Sequence, residues 1–246
     1  MLSTSTVELT SPTATDIQGI FDRIAPVYDE LNQRLSLGLH RVWKHMAVRW
    51  SGATAGDTAL DVCCGSGDLA IMLASQVGAA GTVYGLDFSS EQLGVAQRRS
   101  HQAYLPTPIH WIQGDALALP LANQSIDAAT MAYGLRNLTD IPTGLSELRR
   151  VLKPGAKAAI LDFHRPQSSW AEQFQRWYLE HIVVPTACNL GLTDEYAYIA
   201  PSVERFPTGP EQVQLAHGAG FSQAVHYPIA AGLMGVLVVS YGHDLG

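Results

Sequence analysis

Three carboxylates and one glycine turn carry the first chemical signal in this chain. Asp61, Asp87 and Asp115 each close an apolar, strand-like run, and Gly65-Ser66-Gly67 begins four residues beyond Asp61. A strand that turns on glycines into a helix offers backbone N–H groups and the positive helix end to a ligand at close range. An acid at the mouth of that turn suits a ligand with a cationic or hydroxyl-bearing part better than a bare pyrophosphate. Asp87, an acceptor-only carboxylate, suits ribose hydroxyls, although its position also fits an N-cap for the next helix. Gly114-Asp115-Ala116 follows the third strand and reaches the adenine side of such a ligand. Asp61, Gly65, Ser66, Gly67, Asp87, Asp115 and Ala116 form the expected cofactor-binding set. Any one of these acids alone is more often structural; three in register with the turn are hard to read as chance.

The elements that must position them alternate regularly. Strands are expected at 59–64, 82–86, 109–113, 126–132 and 158–163, with helices between them at 69–73, 89–100 and 139–152. Ser89 and Gln92 have capping-box spacing, and Pro154-Gly155 stops the third of these helices. Such alternation predicts a doubly wound parallel sheet, whose strand ends line one crevice. A helix at 209–219 and two strands at 222–228 and 234–240 follow, close enough to pair as an antiparallel hairpin. Gly65-x-Gly67-x-x-Ala70 also satisfies the loose dinucleotide fingerprint. A nicotinamide-dependent oxidoreductase therefore stays open, disfavoured by Asp61, by Gly114-Asp115 and by the terminal hairpin.

Residues 1–15, rich in Ser and Thr, read as a flexible tail, and residues 16–246 as a single domain. Asp16 caps an expected helix whose face holds Ile17, Ile20, Phe21, Ile24 and Tyr28. A second helix is expected over 39–50, with Trp43, Met46, Ala47 and Trp50 on one side. Together, residues 16–52 read as an N-terminal helical lid over the strand ends. Residues 165–207 form a helical, aromatic-rich insertion after the fifth strand.

The 246 residues, 47% of them hydrophobic, suffice for a large core, and a net charge of −7 argues against a protein held by nucleic-acid phosphates. Three cysteines, two adjacent as Cys63-Cys64, give no disulfide framework; they read as packing in a reducing compartment. The first residues lack a secretory pattern, and the longest apolar run, 229–239, is too short to span a bilayer. A soluble or peripheral protein is expected. His40 and His45, five apart, do not share a helical face, and no metal site is read.

The motifs together resemble class I S-adenosylmethionine-dependent methyltransferases. Over about 21–220 the chain resembles the ubiquinone/menaquinone biosynthesis C-methyltransferase family (UbiE/MenG). One signature stands as Tyr28-Asp29-Glu30-Leu31-Asn32, Leu35-Ser36, His40 and Trp43, and a second as Arg150-Val151-Leu152-Lys153-Pro154-Gly155-Ala156 running on to Leu161-Asp162-Phe163-His164. Tyr133-Gly134-Leu135-Arg136-Asn137 lies between them. Leu31, Ala156, Asp162 and His164 replace the family's usual Met, Gly, Glu and Ser. Asp162-Phe163-His164-Arg165-Pro166 resembles the cyanobacterial and plastid version. Ala132 stands where some relatives have Ser, so no polar contact transfers there.

The resemblance implies an α/β, Rossmann-like fold with a mostly parallel seven-stranded sheet and a C-terminal antiparallel hairpin. It implies S-adenosylmethionine as cofactor and methyl transfer to a ring carbon of a lipid quinol, with 2-phytyl-1,4-naphthoquinol as the expected acceptor. Demethylmenaquinol or a polyprenyl benzoquinol is the nearest alternative; a non-catalytic cofactor-binding assembly factor is a further one. A phenol-like pKa of ~10 means that a base or cationic donor must help the quinol lose a proton. Arg136 fits a phenolate-stabilising role, Asn137 an orienting one, and His164, with an ordinary pKa of ~6.5, that of an alternative base. A surface ion pair is the structural alternative for Arg136, and a satisfied core histidine that for His164. Tyr28 and Asp29 are expected at the substrate. Transient contact with the cytoplasmic face of a thylakoid or plasma membrane is expected from the lipid acceptor. The oligomeric state is open, a homodimer included.

Overall fold

Apolar stretches bounded by glycine or polar turns become strands in the computed structural model, which describes residues 38–166, 169–183 and 199–242 and the single positions 19 and 185. The strands are β1 (Thr58–Val62), β2 (Thr82–Asp87), β3 (Ile109–Gln113), β4 (Ile126–Ala132), β5 (Leu152–Phe163), β6 (Gln223–Ile229) and β7 (Met234–Ser240). They form one sheet in the order β3-β2-β1-β4-β5-β7-β6. The first five are parallel, with Asp61 opposite Gly85 and Thr130. β7 inserts antiparallel between β5 and β6. The expected mostly parallel sheet with a terminal hairpin is the fold of the chain.

Helices cover both faces. α1 (Leu39–Trp50) and α2 (Asp68–Val77) bury Ala47, Val48, Leu69, Leu73 and Val77 against Ala59, Val83, Ala159 and Val236. On the opposite face, α4 (Ile141–Val151) and α7 (Gly209–Gly218) pack Leu145, Leu148 and Ala216 against Leu60, Val62, Met131 and Ile160. Burial on both faces explains why the central strands read as continuous apolar runs. α3 (Ser90–Gln102) starts at Ser89, whose side chain accepts from the Gln92 N–H, and α4 starts at Asp140, which accepts from the Thr143 N–H. α5 (Ser169–Tyr178) runs into a wider turn, Leu179–Val183, and α6 (Ile199–Arg205) precedes α7.

The start of β5 differs from the sequence reading. β5 begins at Leu152 rather than 158, because α4 ends at Val151 and the chain enters the sheet at once. Pro154-Gly155 makes a bulge: the pairing jumps from Ile126–Leu152 to Ala128–Lys157, and Gly155 takes φ +85°. On α1, Ala47 of the expected side is fully buried and Trp43 and Trp50 pack half-buried against the same core, and the buried stripe extends further round the helix to His40, Lys44 and Val48. The helix turns Lys44 inward because Asp68 at the start of α2 receives its ammonium group at 2.6 Å.

Candidate active site

The order of the sheet reverses between β1 and β4, and a ligand crevice opens at the carboxyl ends of strands on either side of such a switch point. A cleft lies there, open to solvent at the strand ends, where small-molecule sites of such sheets occur. The turn after β1 contributes Cys63, Cys64, Gly65 and Ser66; the end of β2 contributes Asp87 and Phe88; Gly114, Asp115 and Ala116 follow β3; Tyr133, Gly134 and Asn137 follow β4. Gly65, Ser66, Asp87, Asp115, Ala116 and Asn137 from the expected sets are thus gathered around one space.

Each strand end is held by short-range bonds. The Asp87 carboxylate accepts from the Gly65 N–H at 2.8 Å and the Ser89 N–H at 3.0 Å, so it ties the glycine turn to α3 while facing the cleft. Asp115 accepts from the Leu117 N–H at 2.9 Å. Cys63 (φ 52°) and Tyr133 (φ 59°) both adopt left-handed backbone, which is uncommon for residues with side chains and is stored where surrounding structure holds it. They meet at Gly134, where an added Cβ would lie 2.7 Å from the Cys63 Cβ. The Tyr133 carbonyl then accepts from both Arg136 Nη1 and Asn137 Nδ2, each at 2.8 Å. That fixes the Asn137 amide with its buried Oδ1 left without a protein donor at the cleft wall.

Four expected site residues stand elsewhere. Asp61 is not at the mouth of the turn. It is fully buried beneath it, accepting from the Ala70 N–H at 3.0 Å and the Thr130 hydroxyl at 2.8 Å. Burial pushes its carboxyl up to about 7, against the pull of Thr130, Lys44 and Ala70. Gly67 caps α2 with φ 87° and faces packing, since an added Cβ would come within 2.8 Å of the Trp111 ring. Arg136 is in neither a surface pair nor the cleft wall. Its guanidinium, 7% exposed, is bound to Asp162 at 2.7 Å and lies over the Phe163 ring. His164 is not among the residues lining the cleft and packs against His226, with ring centroids 5.0 Å apart and the rings tilted by 32°. Burial lowers the His164 pKa, and burial together with the neighbouring His164 holds His226 at about 4. Tyr28 and Asp29 lie outside the described residues.

Sequence reasoning missed Lys44. Its ammonium lines the cleft, bonded to Asp68 and 5.8 Å from the Tyr133 ring centroid. A lysine among apolar residues on a helix before the sheet carries no motif that marks it. Burial raises the pKa of Asp68, but Lys44 and Arg99 together outweigh this and hold it at about 2. Burial and the nearby carboxylates push both cysteine thiols up, so neither is a ready nucleophile.

The antiparallel β7 separates this sheet from an all-parallel dinucleotide-binding sheet. With the glycine turn tied to an acid at the end of β2, it defines a class I S-adenosylmethionine-dependent methyltransferase. The solved structure of a SAM dependent methyltransferase from Aquifex aeolicus is similar in fold, with a TM-score of 0.60, 20% identity, and coverage of 80% of this chain and 88% of that one. The model of the ubiE/COQ5 methyltransferase family matches residues 9–241, and the chain belongs to that family. It is similar to the 2-phytyl-1,4-naphtoquinone methyltransferase of Trichormus variabilis, 60% identical over 225 residues that make up 92% of this chain and 98% of that protein. The chloroplastic 2-phytyl-1,4-beta-naphthoquinone methyltransferase of Arabidopsis thaliana is 51% identical, over 89% of this chain and 85% of that protein. The chain is a methyltransferase whose cofactor is S-adenosylmethionine.

The cleft fits that cofactor. It pairs a carboxylate at the end of β2 with a glycine turn and a further acid after β3, and brings a buried ammonium group to the same wall.

Proposed function

We propose that the chain methylates a ring carbon of 2-phytyl-1,4-naphthoquinol. The observation that carries this acceptor is the 60% identity, over 92% of the chain, to an enzyme named for the corresponding quinone. The methyl donor supplies an electrophilic sulfonium methyl group; the protein must hold donor and acceptor in line, exclude water, and favour the electron-rich form of the quinol.

Asp87 holds the ribose hydroxyls, since a carboxylate only accepts and its bonds from the Gly65 and Ser89 N–H groups fix its orientation at the cleft. Asp115 and Ala116 flank the adenine, and Gly65 and Ser66 border the methionine part. Lys44 receives the methionine carboxylate. An ammonium has about three donors; Asp68 takes one of them, and Lys44 lines the cleft with donor capacity beyond that bond.

Asn137 is the group we place at the quinol. Its Nδ2 is committed to the Tyr133 carbonyl, so its Oδ1 is a fixed acceptor for a quinol hydroxyl. Arg136 acts behind it as a positioning residue with a positive charge one residue away, held by Asp162. Transfer would require loss of the quinol O–H proton, formation of the new carbon–carbon bond as the sulfonium carbon–sulfur bond breaks with its electron pair kept on sulfur as a neutral thioether, and loss of the ring C–H proton to restore aromaticity; the resulting quinolate then regains one proton. Tyr28 and Asp29 remain proposed substrate contacts.

The enzyme works in transient contact with a membrane that holds the phytyl chain; among the described residues no helix is long and apolar enough to cross one. Residues 16–52 act as the lid, and residues 165–207 are the helical insertion after the fifth strand.

The direct test supplies labelled S-adenosylmethionine with chemically reduced 2-phytyl-1,4-naphthoquinone, the oxidised quinone, and a reduced polyprenyl benzoquinone in parallel. Product from the reduced naphthoquinone alone is expected. Preference for the benzoquinol would reassign the acceptor, and bound cofactor with no transfer to any acceptor would overturn catalysis.

A further inference from the structure

The aromatic residues of α5 do not join the core. Trp170 is 70% exposed and Trp177 49% exposed. The Trp170 and Phe174 rings stand 5.8 Å apart and within 5° of parallel; Phe174 and Trp177 are 6.1 Å apart, Trp177 and His181 5.7 Å. Positions 170, 174 and 177, continued by 181, follow the helical repeat, so these rings make one stripe along the helix. The opposite side holds α5 to the body: Gln175 is buried, its amide Nε2 donating to the His164 carbonyl at 2.7 Å, and Val183 is buried beyond it. The anchor sits just after β5, at the carboxyl rim of the sheet, which is also the rim where the cleft opens.

We propose that this stripe is the enzyme's docking surface for the interfacial layer of a lipid bilayer. The proposal rests on the reading of the acceptor as a phytyl-bearing quinol, which must be drawn from a membrane. Three observations select a bilayer over a second copy of the chain. The rings are tryptophan-dominated, the type that partitions to the boundary between headgroups and acyl chains. Fully exposed aromatic side chains bury roughly 150–250 Å² each, so this partly exposed stripe gives well under the roughly 800 Å² that a stable dimer takes from each partner. Glu172 pairs with Arg176 at 3.4 Å, and the exposed Glu180 beside the stripe is acidic, so the segment presents no basic cluster to anionic headgroups. Docking is therefore driven by the rings and not by headgroup charge.

Flotation of the full-length protein with phosphatidylcholine vesicles tests this. The wild-type protein is expected to float with the vesicles, and to do so about equally at roughly 0.1 and 0.5 M salt, since an uncharged contact is not screened. Trp170→Ser/Trp177→Ser should weaken vesicle binding by about tenfold or more, and Trp170→Ser alone, at the most exposed ring, by a smaller factor. Both variants should keep wild-type methylation of a short-tailed, water-soluble naphthoquinol without vesicles, which shows that they fold. Failure of the wild type on that soluble quinol would overturn the acceptor and leave the flotation result standing. Wild-type flotation by the double variant, no flotation by the wild type, or a dimer that the double substitution dissociates would each overturn the docking surface.

Discussion

At the scale of single residues, the site separates groups that face the cleft from groups that build it. Arg136→Ala would leave the Asp162 carboxylate buried without its cation, a change that costs about 3–5 kcal/mol, so lost activity there would report folding. Asn137 is the cleaner probe. Asn137→Leu removes the fixed acceptor and should lower kcat by about 100-fold, with the S-adenosylmethionine Kd changed less than about threefold; equal losses in both would place Asn137 at the donor instead. Lys44 and Asp68 give a second test. Asp68 has a folded pKa of about 2 against an ordinary 3.8, so it stabilises the protein above about pH 4, and this is lost as pH falls through 2. Asp68→Asn should therefore cost about 2 kcal/mol at neutral pH, and the urea midpoints of the two proteins should converge as pH approaches 2. Asp87 and Asp115 were legible in sequence as cleft residues because a strand end fixes where the next residue points, whereas Asn137 was reached only through the family resemblance. Asp61 was not, because its partners Ala70 and Thr130 lie 9 and 69 residues away and turn it under the loop. Lys44 was invisible for the same reason, its partner lying 24 residues on.

At the scale of elements, the terminal hairpin carries its own titrating pair. The His226 ring fits between Gly209 and Gly235, where added Cβ atoms would come within 2.6 and 2.4 Å of it, and it lies tilted against the His164 ring across β7. The folded pKa of His226, about 4, lies below its ordinary 6.5. Between those values the unfolded chain binds more protons than the folded one, so stability falls as pH drops from 6.5 to 4. His226→Phe should flatten that part of the stability curve, measured by thermal unfolding against pH; an unchanged slope would place the titration elsewhere. Element types were well marked in sequence, since period, caps and glycine turns are local. The bulge at Pro154-Gly155 was not, because the same pair that ends a helix can enter a sheet when Tyr241 on the far side supplies its hydrogen bonds.

At the scale of the molecule, the sheet order was readable from alternation and the closing hairpin, whereas the seating of α1 was not. α1 packs on β5 and α2 and also delivers Lys44 to the cleft. Bound cofactor should therefore be felt in a helix that precedes the sheet altogether. Anything that binds only the folded state stabilises it, by about 2.7 kcal/mol at a hundredfold excess over Kd. Where the extra stability appears reports which elements the ligand touches. Hydrogen exchange with and without S-adenosylmethionine should show added protection at 63–67, at 87–92 and through α1. The β6–β7 hairpin and α5, which do not line the cleft, should exchange at unchanged rates. Lys44→Met should abolish the protection of α1 while leaving that of 63–67 largely in place. Protection confined to the strand ends in the wild type would mean that α1 is fixed packing on the sheet, and the lid would then have to be sought among the residues that precede it.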